Sequence, residues 1–292
     1  MTGWGLVLGG GGPVGVAWYA GLADGLRSQG VLLSDADVIL GTSAGAKAGA
    51  WLASGEPLEA FLDAVVREAT DLHGTNYADG LNLERVGEIY AALGAAAAPL
   101  ESDVRRRIGA LAKTVPPQRG DDDWFVKSFE PYVPDVPWPA KLRAVAVNAD
   151  TGALRLIGPD DSISLARGVA ASCAAPGIIS PVRLPEGQFV DGGARSATNA
   201  DLVDRFRVER CLAVSPIVAD APMVGEATAR VLEEEATRLR AQGIAVSMLL
   251  PTGLEADAFG FDLLDLTKVD AAIEAGRARG RLEADRLRAL RG

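Results

Sequence analysis

Three apolar residues, Val38-Ile39-Leu40, run directly into Gly41-Thr42-Ser43-Ala44-Gly45, and Ala46-Lys47-Ala48-Gly49-Ala50-Trp51-Leu52-Ala53 leads out. The first run reads as a buried strand and the last as a small-residue helix. A strand that becomes a helix within five residues must turn sharply, which commits this part of the chain to a layered strand–helix unit. The G-x-S-x-G pattern suits that turn, because its central serine is held in a strained conformation with Oγ pushed clear of the backbone. Gly41 and Gly45 fit where neighbouring backbone leaves no room for a Cβ. The helix start leaves N–H groups, beginning with Ala44, free beside the serine. On its own the pentapeptide fits an ordinary packing turn equally well, so its surroundings decide its meaning.

A similar junction precedes it. Residues 5–8 read as a buried strand, Gly9 to Gly12 as a loop, and 14–27 as a helix, with the next strand at 36–40. This strand–helix–strand–helix order predicts an α/β fold with a mainly parallel sheet and right-handed crossovers. With 292 residues, 48% hydrophobic and 23% charged, the chain can bury one large core. The expectation is a single domain over 1–292 with a helical insertion or lid at about 57–139. Within that insertion, 58–70, 83–100 and 102–113 read as helices, while Asp121-Asp122-Asp123 reads as a solvated loop and 131–139 as irregular. Beyond it, 142–148 and 153–157 read as paired strands around Asp150-Thr151-Gly152. A helix at 162–175 stops at Pro176, and a short strand at 188–190 leads into Asp191-Gly192-Gly193. Strands at 208–214 and 244–250 flank a helix at 226–242, and a helix at 269–290 closes the chain.

Two further motifs carry chemistry. Gly9-Gly10-Gly11-Gly12-Pro13-Val14-Gly15 lies between a strand and a helix. Bare N–H groups of consecutive glycines, backed by a helix start, make an anion-binding nest, suited to a tetrahedral oxyanion. Gly10, Gly12 and Gly15 also spell a dinucleotide fingerprint, but that fingerprint needs an acid at the end of the second strand. Here Asp35 and Asp37 precede that strand, which ends in the serine turn instead. Asp191 on its glycine turn can project into a cleft, although a plain Asp-Gly turn reads the same way. The single histidine, His73, lies between Ser43 and Asp191. A triad in the order Ser, acid, His is therefore impossible; the expected base for Ser43, if it is a nucleophile, is a carboxylate, and His73 reads as a structural or surface residue.

Composition excludes several classes. A net charge of −10 argues against nucleic acid as a partner and against broad adhesion to anionic lipid. Cys173 and Cys211 are far apart, without metal-ligand spacing, and read as buried free thiols suited to a reducing compartment. No basic leader opens the chain and no apolar stretch reaches the roughly 18 residues of a membrane span. The expected location is cytoplasmic, with transient contact at a membrane surface. One candidate for that contact is the basic C-terminal helix, with Arg277, Arg279, Arg281, Arg286, Arg288 and Arg291 against Glu283 and Asp285; the alternative is a solvated amphipathic helix. Trp4, Trp18, Trp51, Trp124 and Trp138 read as core or lid packing, or as interfacial anchors.

The glycine loop after the first strand, G-x-S-x-G after the second, and a later D-G-G occur in an order that resembles the patatin-like phospholipase family. Ala171-Ser172-Cys173-Ala174-Ala175-Pro176 is similar to that family's Ala-Ser-x-x-x-Pro block. The resemblance spans about 5–205. It implies a three-layer α/β/α sandwich that cleaves acyl esters of lipids without metal or cofactor. By position it makes Ser43 the nucleophile, Asp191 the base, and Gly10, Gly11, Gly12 and Ala44 the oxyanion donors. Gly41, Gly45, Gly15 and Gly192 support the elbow and loop. Two departures stand out: Val14 occupies a position where the family has Arg or Lys, and Asn199-Ala200-Asp201 lacks the proline of Asn-x-Pro. Alternatives are a soluble carboxylesterase or thioesterase, and a non-catalytic lipid-binding module of the same fold.

Overall fold

Each strand of the central layer is a short apolar run whose alternate residues face opposite sides. In the computed structural model, which describes residues 3–74, 81–222 and 224–291, Leu6 and Leu8 of β1 (Trp4–Leu8) pack with one helical layer and Val7 with the other. The elements follow as α1 (Gly12–Arg27), β2 (Val38–Thr42), α2 (Ala44–Ser54), α3 (Leu58–Asp71), α4 (Leu83–Gly94), α5 (Ser102–Ala112) and α6 (Trp124–Phe129). After these come β3 (Leu142–Asn148), β4 (Leu154–Ile157), α7 (Leu165–Ser172), β5 (Val182–Leu184), β6 (Gly187–Asp191) and β7 (Arg210–Val214). α8 (Gly225–Ala241), β8 (Ala245–Leu249), α9 (Gly253–Phe259) and α10 (Val269–Arg291) complete the chain. Residues 75–80 of the expected insertion and the side chain of Arg291 lie outside the described residues.

The 8-stranded sheet has the order β5-β6-β3-β2-β1-β7-β8, with β4 also on β3. From β3 through β8 the neighbours in that order are parallel, whereas β4, β5 and β6 run antiparallel to their partners. The fold is thus α/β with a mainly parallel sheet between helical layers. α1, α2, α3 and α10 cover one face through Trp18, Leu22, Phe61 and Val65, and α8 covers the other through Leu232 and Leu239. α3 belongs to this main core, so the segment expected as an insertion begins with a structural helix. α4 and α5 instead bury Ile89 and Ile108 against Val147 and Val190.

One register feature places the site. Thr42, the last residue of β2, pairs with Val145, and Asp191, the last residue of β6, pairs with Ala146. Neighbouring residues of β3 therefore bring the ends of β2 and β6 together.

Several boundaries differ from the sequence reading for local reasons. The helix expected over 162–175 is only Leu165–Ser172, with the Ser164 hydroxyl accepting from the Arg167 N–H at 3.3 Å. The helix expected over 83–100 ends at Gly94. β5, with its exposed Arg183, and the short helices α6 and α9 are additional. Four arginines of α10 are engaged within the protein: Arg277 holds Asp24, Arg279 the Leu250 carbonyl, Arg286 that of Met248 and Arg288 that of Gln29. None of the five tryptophans is exposed. Among the described residues no helix is long and apolar enough to cross a membrane.

Candidate active site

The turn between β2 and α2 places Ser43 at φ 54° and ψ −121°. A non-glycine residue held there costs roughly 1–3 kcal/mol, which the surrounding structure must offset. Close packing imposes the turn: a Cβ on Gly45 would stand 1.9 Å from the Leu8 carbonyl oxygen, so α2 rides directly on β1. Gly41 is closed in by Ala46 in the same way. The Ser43 N–H donates to Ser172 Oγ at 3.1 Å, and that hydroxyl donates to the Val145 carbonyl at 2.6 Å. Ser43's own carbonyl accepts from Ala46 and Lys47, while the Ala44 N–H donates to no group among the described residues.

Asp191 is 5% exposed at the end of β6. Its backbone N–H donates to the Ala174 carbonyl, and its Oδ1 accepts from the Gly193 N–H at 2.7 Å. Burial pushes its carboxyl up to about 6, against smaller stabilisation of the charged form by the Ser43 hydroxyl and the Gly193 N–H. Ser43 lines the same cleft as Asp191. Gly192 behind it packs on the Val145 carbonyl, which leaves no space for a side chain.

The glycine loop faces this pair. The Gly9 N–H is bound to the Val214 carbonyl and the Gly10 N–H to that of Ala197, both at 2.8 Å. A Cβ on Gly10 would lie 3.4 Å from Ser43 Cβ, so the loop passes directly beside the serine. Gly12 adopts φ 59°, a left-handed conformation open to glycine, at the start of α1. The N–H groups of Gly11 and Gly12 donate to no group among the described residues. Gly15 packs on Pro216 and holds the loop down.

These groups share one cleft of about 510 Å³ whose walls are mostly apolar, with Leu93, Leu100, Phe125, Phe129, Ile179 and Val231 among them. Phe261 and Leu264, 47% and 39% exposed, also line it. Tyr90 of α4 contributes a phenol pushed up to about 12, by burial first and then by the charge of Asp191. Cys173 differs from the expectation of a buried core thiol. It is half-buried and lines the cleft, whereas Cys211 is fully buried in β7. Burial raises the Cys173 thiol well above its ordinary value, which keeps it protonated. His73 is exposed beyond α3 and takes no part in the cleft.

The fold and these motifs define an α/β protein with a serine elbow, a glycine nest and a buried carboxylate on one cleft. The sequence matches the patatin-like phospholipase family over residues 6–204, and the chain belongs to that family. Its general class is therefore that of the lipid acyl hydrolases. No curated protein matches the sequence. Among solved structures it is similar to the crystal structure of VipD from Legionella pneumophila, at 16% identity and a TM-score of 0.47, over 98% of this chain and 67% of that one.

Several residues that shape the site escaped the sequence reading. Asn199, at φ 52°, donates from Nδ2 to Thr42 Oγ1, the Gly192 carbonyl and the Ser196 carbonyl, which ties the residue before Ser43 to the residue after Asp191. Thr198 donates to the fully buried Glu235 at 2.6 Å and anchors that loop on α8. Lys47 and Glu68, both buried, form an ion pair on the cleft wall. The available signals were Asn199, noted only for the proline missing after it, and Lys47, a lone charge within a small-residue helix.

Proposed function

We propose that this protein hydrolyses carboxylic esters of lipids, with Ser43 as nucleophile and Asp191 as its base. The observation that carries the proposal is the presence of a strained serine, a glycine loop and a buried carboxylate on one mostly apolar cleft, with the carboxylate's pKa raised by burial to about 6. An ordinary aspartate is too weak a base at neutral pH; raised by burial, this one is still ionised at pH 7 yet better able to accept a proton. Asp191 takes the hydroxyl proton as Oγ attacks the ester carbonyl, and the C=O electrons move onto oxygen. The oxyanion is received by the N–H groups of Gly11 and Gly12, with Ala44 at the start of α2. Gly10 has a different part: its N–H is already bound, and its missing side chain makes room beside Ser43. Collapse of the intermediate expels the alcohol, which takes the proton from Asp191. Water, deprotonated by the same carboxylate, then attacks the acyl-enzyme, and Ser43 leaves with that proton.

The acyl chain occupies the aliphatic walls of the cleft, where each buried methylene contributes about 0.8 kcal/mol. Phe261 and Leu264 at the exposed edge suit entry from a lipid aggregate, a role the internally bound arginines of α10 do not fill. The test is fatty-acid release from phosphatidylcholine vesicles and from monomeric p-nitrophenyl esters of increasing chain length. Release from both by wild type, and from neither by Ser43→Ala, is expected. Release undiminished in Ser43→Ala or Asp191→Asn would refute the dyad.

A further inference from the structure

The cleft has a charged wall that ester cleavage does not require. Lys47 is 3% exposed and Glu68 7%, and the two form an ion pair lining the same cavity as Ser43. The Lys47 ammonium also stands 4.7 Å from the centroid of the Phe129 ring and 5.5 Å from that of Tyr132. Lys47 follows Ser43 by one helical turn, its N–H donating to the Ser43 carbonyl at 3.2 Å. Cys173 lines the same cavity.

A buried ion pair is a poor way to stabilise a fold, since apolar residues of similar volume do as well or better. Its place on a substrate wall therefore calls for a ligand. Among the described residues, Lys47 Nζ donates to no acceptor besides Glu68, and Glu68 Oε1 accepts from no donor. An ammonium has three donors and a carboxylate several acceptor sites, so among the described residues the pair leaves one of each kind unmatched, with no net charge. An alcohol matches both, accepting from Lys47 and donating to Glu68. A phosphate would meet the carboxylate, and a quaternary ammonium would meet the lysine, each at an energetic penalty.

Resting on the hydrolytic reading above, we infer that the Lys47–Glu68 pair is a specificity-determining subsite that selects esters with a free hydroxyl near the scissile bond, the class of partial glycerides. A site built to bond a hydroxyl discriminates strongly against an analogue that lacks it, because its polar groups are then left unpaired.

The experiment compares kcat/KM for 1-decanoylglycerol and methyl decanoate, which share an acyl chain, in wild type and in Lys47→Met/Glu68→Leu. Wild type is expected to favour the glyceride by about 10-fold or more. In the double variant that ratio falls to near 1, with the change mainly in KM for the glyceride. A wild-type ratio near 1, or an unchanged ratio in the variant, overturns the subsite. If the double variant does not fold, the wild-type ratio decides, together with 1-decanoyl-lysophosphatidylcholine, which must be cut more slowly than the glyceride. Turnover of both neutral esters at equal rates removes the subsite alone. No turnover of either, with no fluorophosphonate adduct on Ser43, removes the hydrolytic reading and the subsite with it.

Discussion

Replacing Asp191 by asparagine is expected to abolish activity and to stabilise the protein at the same time. The carboxylate is buried, and burial lifts it from 3.8 to about 6. A group whose folded pKa is raised adds its stability at low pH and loses it as the pH rises through the folded value. Below pH ~3.8 Asp191 is neutral in both states and carries no penalty. Between there and about 6 the unfolded chain ionises while the folded one resists, and stability falls. Above 6 the penalty is constant. A rise of roughly two pH units at about 1.36 kcal/mol each gives a cost near 3 kcal/mol at pH 7.5. Asparagine keeps the shape and can accept from Gly193, but carries no charge. At this chain length 3 kcal/mol corresponds to about 5 °C in Tm. Thermal and urea unfolding of wild type and Asp191→Asn at pH 7.5 and pH 4 provide the assay. The variant is expected to be more stable at pH 7.5, with the gap closing at pH 4. Equal stability at pH 7.5, or a gap that does not depend on pH, would refute the desolvated carboxylate.

Other consequences follow from the same geometry. Since the base acts only when ionised, kcat/KM is expected to fall tenfold per pH unit below about 6, and an inflection near 4 in the pH–rate profile would contradict the raised pKa. Ser43→Gly is expected to be more stable than Ser43→Ala by about 1 kcal/mol in chemical denaturation, because glycine tolerates φ 54° and alanine does not. Gly45→Ala drives a Cβ to 1.9 Å from the Leu8 carbonyl oxygen, and a loss of about 3 kcal/mol or more is expected; a wild-type Tm would contradict the packed elbow. Ser172→Ala strands the Ser43 N–H and the Val145 carbonyl, with an expected loss of about 2–3 kcal/mol and a lower kcat, measured by unfolding and by ester turnover.

The fold and site were legible wherever local sequence carries the physics. β1, β2, β7 and β8 are short apolar runs, and the three glycine motifs sit where β1, β2 and β6 end, so their places in the fold could be read at once. α9 also left a trace, since Thr252 and Glu255 form a capping box that the sequence displays. What could not be read depends on tertiary approach. The Gly10 N–H is bound by Ala197, far along the chain, so a run of equivalent glycines divides into bound and free donors only after folding. Lys47 and Glu68 lie on different helices whose crossing no local pattern fixes. Arg277, Arg279 and Arg288 of α10 looked like part of a basic face until α1, the turn that follows it and the residue after β8 supplied Asp24, Gln29 and Leu250 as partners. Cys173 resembled a core thiol because its neighbours are apolar, yet those neighbours form the wall of a cleft.

The most direct test of the central claim is intact-mass and peptide analysis of the folded protein after treatment with a fluorophosphonate. Wild type is expected to gain a single adduct, located on Ser43, and Ser43→Ala to gain none. A folded wild-type protein that takes up no adduct, or carries it on Cys173 or another residue, would contradict Ser43 as the nucleophile.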